Sequence, residues 1–319
     1  MFHRIIRKGL PALLLMVFFA LILALLDWNY ASDKAEFGLF SVGGVRQPLY
    51  MAFAAGAWIA LLALLWMEIF SSEELIKGNF TTGIFFVLLY FALSPMSMLE
   101  PILIGGLGAV LAFRKMLSSL DTGGNVYYLW FDTGWIIGFA CLFSSSAFLL
   151  FFAALTIFNL AGGNLQWRAF VIPLVGLLLS IWVSYALTDV LGIIGIDLWK
   201  IYDLEEMIGK NSFSERNAHY WSRLSAMLAL LFFSLQAYFN ILKSSTARKR
   251  RAFSALVGLI PIFFPLYILF PSFSSIWIIG LLLPVAPLLS ERLEMFNKPW
   301  KKEVFALSIV VATIIESVL

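Results

Sequence analysis

Five ionisable residues lie inside long apolar runs or at their ends: Asp27, Asp132, Asp189, Arg223 and Glu316. An unpaired charge at membrane depth is costly, so such groups are paired, wetted or functional. Asp27 closes the first run and opens a segment that carries Asp33, Glu36 and Arg46, while Asp189 precedes, and His219 and Arg223 follow, a second polar segment. A carboxylate there would take a proton from an acceptor hydroxyl, and the planar five-donor fork of an arginine would hold a departing phosphate. The candidate catalytic residues are therefore Asp27, Asp33 and Glu36, and the candidate substrate-binding residues are Arg223, His219, Asp189 and Arg46. Each has a plainer reading: Asp27 marks an interface beside Trp28 and Tyr30, Arg223 snorkels to the boundary, and His219, on the face of Arg223, is a hydrogen-bonded interfacial residue.

Other chemistries are excluded or weak. His3 and His219 are the two histidines and Cys141 is the one cysteine, so neither a multi-histidine metal site nor a disulfide framework fits within one chain. No Walker loop, nucleophile elbow or HExxH occurs, and neither metal nor cofactor is expected. Asp132 is expected to pair with Arg114 or Lys115 of a preceding inner loop, and Gly134 and Gly138, spaced four apart, are read as a close-packing surface between helices. Gly105, Gly106 and Gly108 are read the same way. The run Arg248 to Arg251 is read as a topology signal with weak attraction for anionic headgroups.

The elements that position these residues follow from composition. The 319 residues are 61% hydrophobic and 13% charged, far from the quarter or so charged that a soluble domain carries. Apolar runs fall at 10–27, 49–69, 82–95, 99–113, 127–143, 145–161, 169–188, 219–242, 252–270, 273–290 and 303–318. Most approach the length of about 17 to 25 residues that crosses a bilayer as helix. The expected fold is an all-α, polytopic transmembrane bundle of about ten or eleven spans in one membrane domain, 1–319. Two places are ambiguous: 82–95 and 99–113 meet at Pro95 and Pro101 and would also suit one kinked unit, and Ser144 to Ser146 would either separate two spans or interrupt one. The start, 1–9 followed by the apolar run Leu10 to Leu26, has the form of a secretory signal without a small-residue cleavage site and is read as an uncleaved first span.

Threading these runs alternately from a cytoplasmic N-terminus leaves Lys34, Arg46, Lys200, Lys210, Arg216 and Arg223 outside and the other sixteen of the 22 lysines and arginines inside. Cationic loops stay in the cytoplasm, so this orientation is the expected one, and the net charge of +3 does not point to nucleic acid. On the outer side, Ile194, Leu198, Ile201, Leu204 and Ile208 recur at three and four, which predicts an interfacial helix over about 196–209.

The stretch Phe131 to Phe143, Asp-Thr-Gly-Trp within it, together with Trp167, Arg168 and Ile172 to Gly176, resembles a family of uncharacterised multi-pass bacterial inner-membrane proteins, a domain of unknown function, over about 99–190. That resemblance implies the inner membrane of a diderm bacterium and no established activity. A fainter likeness, in the carboxylates after span one, the outer interfacial helix and the helix Gly134 to Leu142, is to membrane glycosyltransferases that use polyprenyl-phosphate sugars. The chain departs from them: the first loop has no paired Asp-Glu, and Ser144 stands where a lysine is often seen.

The leading expectation is a membrane protein handling a lipid-linked or amphiphilic substrate at the outer face, as a glycosyltransferase-like enzyme would. Its partners would be membrane lipid and a polyprenyl-phosphate-linked substrate. Two rivals stand beside it: a non-catalytic subunit or assembly factor of an envelope complex with a protein partner in the membrane, and a transporter or flippase, for which Pro95, Pro101 and Pro173 would supply broken helices.

Overall fold

A computed structural model describes residues 9–31, 49–72, 75, 80–93, 101–120, 126–141, 145–162, 167–193, 218–269 and 274–318. Their regular structure is entirely helical. The helices are α1 (Gly9–Ala31), α2 (Leu49–Ser72), α3 (Phe80–Leu93), α4 (Pro101–Ser119), α5 (Tyr127–Cys141), α6 (Leu149–Gly162), α7 (Trp167–Ile193), α8 (Ala218–Ser244), α9 (Ala247–Val257), α10 (Ile260–Leu269), α11 (Ser274–Met295) and α12 (Pro299–Val318). A 3-10 turn, Ser145–Phe148, precedes α6. Every apolar run overlaps a helix, as expected for segments whose backbone polar groups must be satisfied internally in lipid. Among the described residues, Phe53–Ser71, Leu224–Ser244 and Ala247–Ile268 are long and apolar enough to cross a membrane; Pro11–Leu25, Phe80–Leu93 and Trp167–Val183 are shorter apolar helices.

Two boundaries differ from the sequence expectation. Helix α4 continues through Arg114 and Lys115, and α9 begins before Arg248, so both basic groups are helical and not loop residues. Counting apolar residues ends a run at the first charge, yet Arg and Lys are good helix formers. Thr246 also caps α9, its hydroxyl accepting from the Lys249 amide at 3.4 Å. The serine break separates two helices: α5 ends at Cys141 and α6 returns along it, with Trp130 and Phe158 ring centroids 5.3 Å apart.

The chain forms two compact units, 1–99 with 213–245 and 281–319, and 100–212 with 246–280. In the first, α3 is the hub. Thr81 through Leu93 are all buried, as suits a helix that is apolar on every side. Helices α1 and α2 are antiparallel: a β-carbon at Gly56 would lie 2.8 Å from the Ala20 carbonyl oxygen, while Met16 and Ala63 both approach Gly83. Gly83, near the start of α3, also lies beside Met67 near the end of α2, so α3 runs antiparallel to α2 and parallel to α1. Helix α12 runs parallel to α3, since Phe85 packs edge-on against Phe305 and the Thr313 hydroxyl lies 3.3 Å from the Leu88 carbonyl oxygen. Helix α8 runs the other way: Phe233 meets Phe305 at 5.7 Å, and Asn240 lies 3.5 Å from the Met295 sulfur, back toward the start of α12.

In the second unit α5 is sandwiched by α4 and α7. Gly134 faces the Pro173 backbone, Gly138 the Leu177 carbonyl and Ser180, and Gly176 the Phe131 carbonyl, which makes α5 and α7 parallel and closely crossed. Helix α4 is antiparallel to α5, with Gly108 against Ala140 at one level and Lys115 against Asp132 at another. The small residues thus face inward. The large ones face out: on α7, Trp167 and Trp182 are 69% and 67% exposed, and Phe170, Val175 and Leu178 lie on the same open side. Small-inside, large-outside is the packing logic of helices solvated by lipid tails, and in water so broad an apolar face would be an aggregation surface.

Candidate functional site

Basic side chains collect at one end of the second unit. Arg114 and Lys115 occupy the last turns of α4, and the Lys115 ammonium lies 2.7 Å from an Asp132 carboxylate oxygen on the first turns of α5. Both partners are over a third exposed, so the bond contributes little stability but fixes the two groups relative to each other. Of the two pairings expected for Asp132, Lys115 makes it. The Arg168 guanidinium donates to the Tyr127 hydroxyl at 3.1 Å and sits 5.8 Å from the Tyr127 and Trp167 ring centroids, which joins the starts of α5 and α7. Leu120, just past α4, shares a recess with Ala247, Arg250, Arg251 and Ser254, which adds the start of α9.

The first unit has its own basic end. Lys243 lies in the last turn of α8 and Arg292 in the last turn of α11, while Lys298, Lys301 and Lys302 flank the start of α12. Lys302 meets Glu294 at 3.1 Å, and the Arg292 guanidinium sits 5.1 Å from the Phe296 ring centroid.

The helix directions then locate the candidate residues by backbone. Because α1 is parallel to α12 and α8 antiparallel to it, the last turns of α1, which contain Asp27, and the first turns of α8, which contain His219 and Arg223, share the end of the first unit opposite Lys243, Lys298, Lys301 and Lys302. Asp189 lies on the last turns of α7, at the end of the second unit opposite Arg168. Helix backbone is described for these four positions; their side chains lie outside the described residues, as do Asp33, Glu36, Arg46 and the interfacial helix over about 196–209. Glu316 is likewise described by backbone alone, on α12.

Among the described residues no group of three or more His, Cys, Asp and Glu side chains could hold a metal ion. Three features escaped sequence reasoning. The Arg168–Tyr127 bond spans 41 residues and has no local signature. The buried Thr313, donating to the Ile309 carbonyl at 2.9 Å beside the Leu88 carbonyl, looked like any threonine in an apolar run. A recess between α4 and α5, lined by Leu111, Arg114, Lys115, Ser118, Tyr128, Leu129 and Ile136, depends on helix register.

No family model matches the chain, and neither a curated protein nor a solved structure matches it.

Proposed function

We propose that this chain is a multi-pass bacterial inner-membrane protein with a cytoplasmic N-terminus, handling a lipid-linked or amphiphilic substrate at its outer face. The observation that carries the reading is the helix polarity of the first unit, in which the helix ends bearing Asp27 and Arg223 lie opposite the end bearing Lys243, Lys298, Lys301 and Lys302. Retention of those lysines in the cytoplasm turns the Asp27 and Arg223 ends outward. Eleven crossings agree with this geometry: α1, α3 and α12 are parallel, as first, third and eleventh spans must be, and α5 and α7 are parallel as fifth and seventh.

In this reading Arg223 holds the phosphate of a polyprenyl carrier, with His219 beside it, and Asp27 accepts the proton of the attacking hydroxyl while the sugar–phosphate bond breaks. Asp33 and Glu36 supply further carboxylate, and Arg46 and Asp189 further polar contacts. The resemblances to the uncharacterised inner-membrane family and to the polyprenyl-phosphate-sugar glycosyltransferases belong to the same proposal. Mass spectrometry of lipid retained by the purified full-length protein tests it. The expected result is a polyprenyl phosphate in the wild type, lost in Arg223→Gln and kept in Asp27→Asn, with the cellular phenotype abolished by both variants.

A non-catalytic membrane subunit or assembly factor is the second reading, favoured by the glycine-mediated α5–α7 crossing and the apolar outer face of α7. A stoichiometric protein partner, with Asp27→Ala and Arg223→Ala harmless and a bulky residue at Gly138 lethal, would establish it over the first.

A further inference from the structure

Between α4 and α5 lies an open recess of about 630 Å³ whose lining is graded from charged to apolar. On α4, Leu111, Arg114, Lys115 and Ser118 recur at three and four, so they share one helix face. On α5, Tyr128 and Ile136 are two turns apart with Asp132 between them. The antiparallel register sets Arg114, Lys115 and Tyr128 toward the basic end of the unit, and Leu111 and Ile136 deeper along the helices. Asp132 holds the Lys115 ammonium at the groove wall at 2.7 Å, and an ammonium has further N–H donors beyond that bond. The Ser118 hydroxyl, in the groove wall, donates to the Arg114 carbonyl at 2.9 Å. Arg114 is exposed and Tyr128 is 56% exposed.

We propose that this groove seats one anionic glycerophospholipid, its phosphodiester held by Arg114, Lys115 and the Tyr128 hydroxyl and one acyl chain laid along Leu111 and Ile136. Among the described residues at the groove, two cations against one carboxylate leave a single net positive charge, the complement of a monoanionic phosphodiester. The guanidinium fork suits its paired oxygens. The apolar half of the groove distinguishes a lipid from a soluble anion, which would gain nothing from Leu111 and Ile136. The recess at Leu120, Ala247, Arg250, Arg251 and Ser254 shares no described lining residue with this groove, so Arg250 serves as the control cation.

Native mass spectrometry of the full-length protein, equilibrated with equal amounts of phosphatidylglycerol and phosphatidylcholine, tests the seat. Phosphatidylglycerol is retained preferentially by the wild type. Arg114→Gln lowers that retention about tenfold, on the scale of one lost charge-assisted contact. Ile136→Trp fills the apolar track and lowers it comparably without touching a charge, while Arg250→Gln leaves it unchanged. Tyr128→Phe, which keeps the ring, gives a smaller loss and carries the test should Arg114→Gln melt early. Equal retention of both lipids overturns the proposal, as does loss on Arg250→Gln in place of Arg114→Gln. Displacement of the lipid by millimolar glycerol phosphate would show a simple anion site and overturns it too.

Discussion

Gly134 lies directly against the Pro173 backbone, so close that a β-carbon at residue 134 would overlap the Pro173 carbonyl oxygen. Helices α5 and α7 cannot keep this crossing with any side chain there. Gly134→Ala is therefore expected to destabilise the protein by at least about 1–3 kcal/mol, because backbone must move. Gly83→Ala is the internal contrast: the atom it meets is the Met16 sulfur at 2.8 Å, the far end of a flexible side chain that can swing aside. Thermal unfolding of the two variants in detergent should separate them clearly, and equal melting temperatures would remove the glycine crossing as the organising contact of the second unit.

The Lys115–Asp132 bond predicts a small but real coupling. A double-mutant cycle with Lys115→Ala and Asp132→Ala should give about 0.2–1 kcal/mol, the range of partly exposed pairs, and the coupling should shrink with added salt. A coupling indistinguishable from zero at low salt would mean that the two groups do not hold each other.

Thr313 is buried on α12, with its hydroxyl donating to the Ile309 carbonyl and lying 3.3 Å from the Leu88 carbonyl of α3. Thr313→Val keeps the shape and removes the donor. The expected loss is about 0.5–1.5 kcal/mol, toward the lower end for a hydrogen bond between membrane helices. Denaturation by a graded detergent series measures it, and Ser308→Ala, whose exposed hydroxyl bonds its own helix, serves as the unaffected reference.

Much of the architecture was legible because lipid leaves few options. Apolar runs had to be helices, and the small-xxx-small spacing of Gly134 and Gly138 announced a tight crossing before its partner was known. The pairing of Asp132 was legible for the same reason, since a carboxylate in that position calls for a neighbouring cation. The partner helix was not legible. That α7 runs beside α5, in parallel and across an intervening α6, follows from the Pro173, Gly176 and Ser180 face, and nothing in the spacing of α5 names it. Nor could counting apolar residues reveal that Lys115 and Arg250 sit on helices, because charge ends a hydropathy run without ending a hydrogen-bond ladder. Of the candidate site, Asp27, Asp189, His219 and Arg223 were legible as charged or polar helix-end residues, but the end-to-end sorting of helices that brings the Asp27 and Arg223 turns to one side required tertiary contacts.

The proposed outer site depends on which end of the first unit faces the cytoplasm, and impermeant maleimide labelling of single cysteines in intact spheroplasts measures that directly. In a Cys141→Ala background, Lys210→Cys is expected to react from outside, and Ser245→Cys, between the basic turns of α8 and α9, only after the membrane is opened. Reaction of Ser245→Cys with intact cells and protection of Lys210→Cys would invert the molecule and contradict the proposed outer site.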